Sequence, residues 1–122
     1  MKGFDPFILM VKRPEKPFFK NLLKTCEIND IPIKDFKEID LELKNENLTL
    51  NSYIENKGYE FIIDSIFGYS FKPPIRPPFD YIINELKLNK IPKLSVDIPS
   101  GYDVEKGFKS FVFIKKCLRK YQ

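Results

Sequence analysis

Apolar residues along this chain fall into two kinds of pattern. Short apolar runs end at proline, glycine or charge at Phe7–Val11 (FILMV), Glu60–Asp64 (EFIID) and Leu94–Ile98 (LSVDI). Runs of this length read as buried strands. Between the runs the spacing changes to that of helices. Pro17 opens the first, at a position where a missing N–H costs nothing. Phe19, Leu22, Leu23 and Cys26 then follow the i, i+3, i+4, i+7 rule of a face that packs on a sheet. After the Asn29-Asp30 turn, Ile31–Ile33 is predicted as a short second strand. Leu50, Tyr53 and Ile54 predict a short helix that Gly58 ends. Phe79, Ile82, Ile83 and Leu86 predict a longer one over Phe79–Leu88, started by Pro78, with Lys87 and Lys90 complementing its dipole at the far end. Lys34–Asn47 leaves two readings. Ile39, Leu41 and Leu43 alternate with charges as on an exposed edge strand, while the Lys and Glu density equally suits a loop.

The most informative part is a pair of matched stretches, Tyr59–Lys72 (YEFIIDSIFGYSFK) and Lys93–Gly107 (KLSVDIPSGYDVEKG). Each is a strand that ends in a carboxylate, Asp64 or Asp97, and then breaks into a glycine-containing loop. With the Phe79–Leu88 helix between them they form a βαβ unit, so the strands are expected to be parallel. Crossover handedness puts both strand ends on one edge of the sheet, and ligands of open α/β sheets bind outside that edge. Asp64 and Asp97 are thereby candidates for one site. Gly68 permits a tight turn, and Pro73-Pro74 and Pro77-Pro78 stiffen the loop after it.

Composition narrows the chemistry. The 122 residues are 43% hydrophobic and 31% charged, a globular balance sufficient for one domain with a real core. The net charge of +4 is mild and the lysines are scattered, which argues against nucleic acid as a partner. With no histidine in the chain, imidazole chemistry is excluded, and carboxylates, lysines and hydroxyls must carry any catalysis. Lys12 or Arg13, at the end of the first strand, could face a phosphate or serve as solvated loop charges. Cys26 and Cys117 have no metal-ligand spacing, and a disulfide between them is unsupported. There is no membrane-spanning run and no visible targeting segment. Asn47-Leu48-Thr49 is a glycosylation sequon, meaningful only in a secreted chain.

The stretches FIIDSIFGYSFKPPIRPPF and SVDIPSGYDVEKG, preceded by GFDPFILMVKRPEKPFFKNLLKTCEINDIPI, resemble NAD(P)H-hydrate epimerase, the apolipoprotein A-I-binding protein family. The resemblance covers most of residues 3–107 as a partial epimerase domain, and residues 108–122 form a divergent basic tail. It implies an α/β fold, a three-layer α/β/α Rossmann-like, mostly parallel sheet, incomplete at the N-terminal side and divergent at the C-terminus.

The activity implied is an isomerase reaction, the interconversion of the R and S epimers of hydrated NADH or NADPH for nicotinamide nucleotide repair. A route that loses the hydroxyl with help from the ring nitrogen and re-adds water on the other face needs a general acid/base beside that hydroxyl. Asp97 matches the family's aspartate for this work; on the residues alone it could instead cap the IPSG turn. Gly68, Tyr69, Ser70, Phe71, Lys72, Pro73 and Pro74 match the loop along the substrate, with Lys72 suited to a phosphate. Pro73 and Pro74 depart from the family pattern and remove two backbone donors. Asp64 and Ser100 match ligands of a potassium ion, one per subunit; their bland alternatives are a turn acceptor and a turn hydroxyl. The family's Asn-Asn-Gly-Gly-Asp phosphate loop falls upstream of GFDP. Its absence from this sequence predicts weak binding and keeps open a second reading, a catalytically inactive protein-interaction module of the same fold. A homodimer is left open, no membrane partner is expected, and the compartment expected is cytoplasmic or mitochondrial.

Overall fold

The computed structural model describes residues 4–103 and residue 105. The chain divides into two compact units, Met1–Leu48 and Thr49–Gln122. In the first, β1 (Ile8–Met10) and β2 (Ile33–Asp35) pair in parallel, with Ile8 opposite Ile33 and Met10 opposite Asp35. The crossover between them is α1 (Pro17–Ile28), which starts at the proline that predicted it. Its apolar stripe is less covered than its spacing predicts. Phe19 and Leu22 are 41% and 49% exposed, and Leu23 and Cys26 are only half-buried. Two strands of three residues offer too little surface to cover a twelve-residue stripe.

The stretch that sequence left between edge strand and loop is neither. Residues Phe36–Glu46 form α2. Its start is a capping box, in which the Asp35 N–H donates to Glu38 Oε2 at 3.4 Å. Its end is Asn47 in the left-handed conformation, φ 52°, with the Leu48 N–H returning to the Leu43 carbonyl at 2.9 Å. The helical spacing picks out Phe36, Ile39 and Leu43, which are buried, and leaves Leu41 exposed. The alternation of Ile39, Leu41 and Leu43 was therefore a coincidence of one outward leucine. At the ends of β1 and β2, Arg13 Nε donates to both carboxylate oxygens of Asp35, at 3.0 and 2.8 Å. That hydrogen bond, with the charge behind it, raises the pKa of an already permanent cation.

The second unit carries α3 (Leu50–Asn56), β3 (Ile62–Asp64), α4 (Phe79–Leu88) and β4 (Lys93–Ser95). The parallel pairing of β3 with β4 is the βαβ unit expected, in the register Ile62 to Lys93, Ile63 to Leu94 and Asp64 to Ser95. α3 packs on α4 and their contact buries Leu50, Tyr53, Ile54, Ile82 and Ile83. Polar groups of α4 also complete the start of α3. The Leu50 N–H donates to the Tyr81 hydroxyl at 3.1 Å and the Asn51 N–H to Glu85 Oε2 at 2.9 Å, while Thr49 Oγ1 accepts from the Ser52 N–H. Asn89, the buried residue that ends α4, donates to Asn51 Oδ1 at 2.6 Å and accepts from the Ile91 N–H at 2.9 Å. Beside it, Lys93 Nζ reaches the carbonyls of Asn89 and Ile91, and loss of solvent lowers the lysine's pKa. The strands are not buried on both faces as their apolar runs predict. Phe61, Ile63, Leu94 and Val96 are 44–63% exposed and lie on one face, because side chains alternate along a strand and this pair has cover on one side only.

The helical reading of residues 36–46 is tested by two truncations. Ile39→Ala removes a fully buried side chain and is expected to cost about 2–5 kcal/mol. Leu41→Ala should stay within about 0.5 kcal/mol of the parent, as for ordinary surface positions. Urea unfolding midpoints of the two variants measure the contrast. Equal losses would restore the strand.

Candidate active site at the ends of β3 and β4

Apart from Lys12 and Arg13, which lie in the first unit, the candidate residues belong to the second unit, and the loops after β3 and β4 bring them together. The centre of the arrangement is the Asp64 carboxylate. Its Oδ1 accepts from the Ser100 hydroxyl at 2.5 Å and the Ile66 N–H at 3.3 Å; its Oδ2 accepts from the Ser100 N–H at 2.8 Å and the Ser95 hydroxyl at 3.2 Å. Four donors meet the four acceptor sites of one carboxylate. Ser100, which is buried, passes the connection on by accepting the Phe67 N–H at 2.9 Å on its hydroxyl. The backbone adds a last rung, the Val96 N–H to the Asp64 carbonyl at 2.8 Å. Asp64 does accept from its own turn, but two of its four bonds cross to the other loop and a third to the end of β4.

The β4 loop holds its shape by two tight turns. Pro99–Tyr102 closes through the Tyr102 N–H and the Pro99 carbonyl at 3.1 Å, with Gly101 at φ 84° in the third position. A type II turn requires that sign there. A Cβ at Gly101 would also lie 3.0 Å from Ile75 Cδ1. Just before it, the Ile98 N–H bonds the Val96 carbonyl at 3.0 Å around Asp97, whose φ is 70°. This is the classic γ-turn, rare and strained for a residue with a side chain.

The strained Asp97 is exposed. Its Oδ2 accepts the Tyr69 N–H at 2.7 Å. Oδ1 has no hydrogen-bond partner among the described residues. The side chain reaches across to the β3 loop rather than capping the IPSG turn, so the bland alternative for this residue does not describe it. The β3 loop is itself anchored by aromatic rings. Phe67 stacks on Phe71 at 4.4 Å between centroids and meets Phe79, the first residue of α4, at 5.1 Å. A turn from Gly68 to Phe71 closes with a 3.0 Å bond. The ring of Phe71 is thus engaged in holding the loop, whereas Tyr69, Ser70, Lys72, Pro73 and Pro74 are exposed.

The structure therefore joins Asp64 with Ser100, and Asp97 with Gly68 and Tyr69, at one end of one parallel pair. Sequence reasoning passed over Ser95 and Phe67. The first was within reach, since parallel pairing of the two strands sets Ser95 opposite Asp64. Nothing in the residue order signals that Phe67 supplies the backbone donor to Ser100. Among the described residues no three His, Cys, Asp or Glu side chains gather as a multi-ligand metal centre, and no helix is long and apolar enough to cross a membrane.

A parallel βαβ unit with carboxylates at the carboxyl ends of both strands defines a Rossmann-like α/β protein with its ligand edge at these loops. The chain belongs to the family described as YjeF-related protein N-terminus, whose profile matches residues 8–117. A relative from Paramecium tetraurelia, named NAD(P)H-hydrate epimerase, is 44% identical over 105 residues, 86% of this chain and 38% of that protein. The crystal structure of the yeast protein ynu0 (YNL200c) superposes with a TM-score of 0.73 at 36% identity, over 92% of this chain and 44% of that one. The chain thus spans about two fifths of the length of these relatives. These matches bear out the family that the two loop motifs resembled. The residues 108–122 read as a basic tail lie outside the described residues, as does Cys117.

Ser100→Ala tests the tie between the loops. It leaves the Phe67 N–H without its acceptor and takes a hydroxyl donor from Asp64, so stability should fall by about 1–3 kcal/mol. The measurement is the denaturation midpoint, and an unchanged midpoint would remove Ser100 from the hub.

Proposed function

We propose that this chain serves in an NAD(P)H-hydrate epimerase, an isomerase that interconverts the R and S epimers of hydrated NADH and NADPH, with Asp97 as the acid/base. The observation that carries the reading is the state of the Asp97 carboxylate. One oxygen is pinned by the Tyr69 N–H and the other is free among the described residues, on an exposed residue held in a strained turn at the ligand edge. Such a group can give and take a proton without losing its place. Asp64, with every acceptor site filled, cannot. The name of the Paramecium relative supports the substrate class, and no observation favours the interaction-module alternative.

In this reading Asp97 donates a proton to the departing hydroxyl at the hydrated ring carbon and recovers one from the water that re-adds on the opposite face. Gly68, Tyr69, Ser70, Phe71, Lys72, Pro73 and Pro74 lie along the substrate, with the exposed Lys72 ammonium suited to a phosphate of the dinucleotide. Phe71 acts through the aromatic stack that fixes the loop.

Potassium fits the hub in kind. Asp64 and Ser100 offer oxygen donors with a single negative charge, the set a hard monovalent cation prefers. These two residues would hold the ion, and bound there it would supply a fixed positive charge beside both loops. The ion and the Ser100 hydroxyl would compete for the same lone pairs of Asp64.

Asp97→Asn keeps the size of the side chain and removes the titrating proton. Epimerisation by the protein should fall by about 100- to 10,000-fold while substrate binding largely survives. Turnover at the parent rate would remove Asp97 from the chemistry. Potassium, in turn, should raise the melting temperature of substrate-bound protein more than sodium does, by mass action. Asp64→Asn should erase that difference, and equal effects of the two salts on the parent would exclude a potassium site.

A further inference from the structure

We infer that Gly68 is a positioning residue whose missing side chain leaves the space in which the Asp97 carboxylate docks. The inference deepens the acid/base assignment of Asp97 and rests on it.

The backbone of Gly68 gives no reason for a glycine, because its φ lies outside the left-handed region that other residues avoid. The reason lies across the site. A Cβ built on Gly68 would stand 2.6 Å from Asp97 Oδ2, 3.7 Å from its Cγ and 4.0 Å from its Cβ, and these are its three nearest neighbours. The first distance is one that real Cβ atoms do not adopt. The oxygen concerned is the one that accepts the Tyr69 N–H at 2.7 Å. Position 68 is kept clear for this one carboxylate oxygen, and the next residue in the chain supplies the donor that pins it.

The other half of the device is the γ-turn at Asp97. With φ at 70°, the turn sends the side chain back over the β3 loop, a direction the IPSG segment by itself does not require. The Tyr69 N–H and the open volume at Gly68 hold that direction. Oδ2 is thereby fixed and Oδ1 is the oxygen left to exchange protons.

A methyl group at position 68 meets the end of a flexible side chain rather than backbone. Gly68→Ala should therefore fold, with the Asp97 carboxylate swung away and the Tyr69 amide released. Because Tyr69 is 68% exposed, that amide has little other protection. In the protein, hydrogen exchange at the Tyr69 amide should accelerate in Gly68→Ala. kcat should fall by about 100-fold, as for a reacting group displaced by about an ångström, while KM moves far less.

A double-mutant cycle separates this role from a local effect on the loop. In an Asp97→Ala background, of the three contacts at position 68 the ordinary 4.0 Å Cβ separation remains. There, Gly68→Ala should change neither Tyr69 exchange nor the thermal midpoint further. Asp97→Gly, which also relieves the left-handed strain, repeats the cycle should the alanine variant fold poorly. The inference is overturned if Gly68→Ala leaves the Tyr69 amide protected with kcat at the parent value. It is equally overturned if the acceleration is as large without the Asp97 side chain as with it. Exchange is read without turnover, so an intact cycle beside an active Asp97→Asn protein would uphold the positioning role while removing the acid/base assignment it serves.

Discussion

The site depends on one carboxylate being used up. Asp64 stands at the last position of β3, and the parallel register sets it opposite Ser95, so a donor from the neighbouring strand is present before the loops begin. The β4 loop then turns back to present the hydroxyl and the N–H of Ser100 to the same group. A half-buried carboxylate is costly unless it is hydrogen-bonded. Here the full set of four donors makes it the point through which the two loops are fastened. Remove the carboxylate and the Ser100 hydroxyl loses its acceptor, the Phe67 N–H loses its ordered partner, and the exposed Tyr69 N–H to Asp97 bond is left to tie the β3 loop to the β4 loop.

From that tie follows the difference between the two aspartates. Both stand at the carboxyl ends of parallel strands and sequence pattern treats them alike. One is enclosed by four donors that fasten the loop junction. The other stands two residues beyond its partner's register position, in an exposed γ-turn, with a single donor. Identical side chains thus stand in different surroundings, set by the number of N–H and O–H groups that meet each of them.

The helix between the strands contributes more than a connection. Its first residue, Phe79, backs the Phe67 ring and so carries the β3 loop; Ile83 lies under Gly101 of the β4 loop; Tyr81 and Glu85 close the start of α3. Loops that hold reacting groups are usually the mobile part of a fold. In this unit they rest on the buried face of a helix at one end and on a satisfied carboxylate in the middle. The strained turn at Asp97 is thereby set against a frame whose polar groups are satisfied.

Sequence by itself determined the elements whose signals are local. Pro17, the apolar stripe of Phe79–Leu88 and the short runs starting at Glu60 and Leu94 specify helices and strands because backbone propensity and side-chain period act over a few residues, although the last strand ends at Ser95 rather than Ile98, where the γ-turn at Asp97 takes over. Parallel pairing followed from the strand–helix–strand order, and the two loop motifs together were specific enough to point to the family. The α2 segment reads wrongly as edge strand or loop, because the alternating leucine masks the Asp35-x-x-Glu38 capping box and the helical spacing of Phe36, Ile39 and Leu43. What only the tertiary structure decided is how acceptors are matched to donors between segments remote in the chain. Asp64 meets Ser100, Asp97 meets the Tyr69 N–H, and Gly68 is left bare for a side chain on another strand's loop. Hydrogen bonds and excluded volume act at about 3 Å, and no pattern along a chain encodes which remote groups will come within that distance.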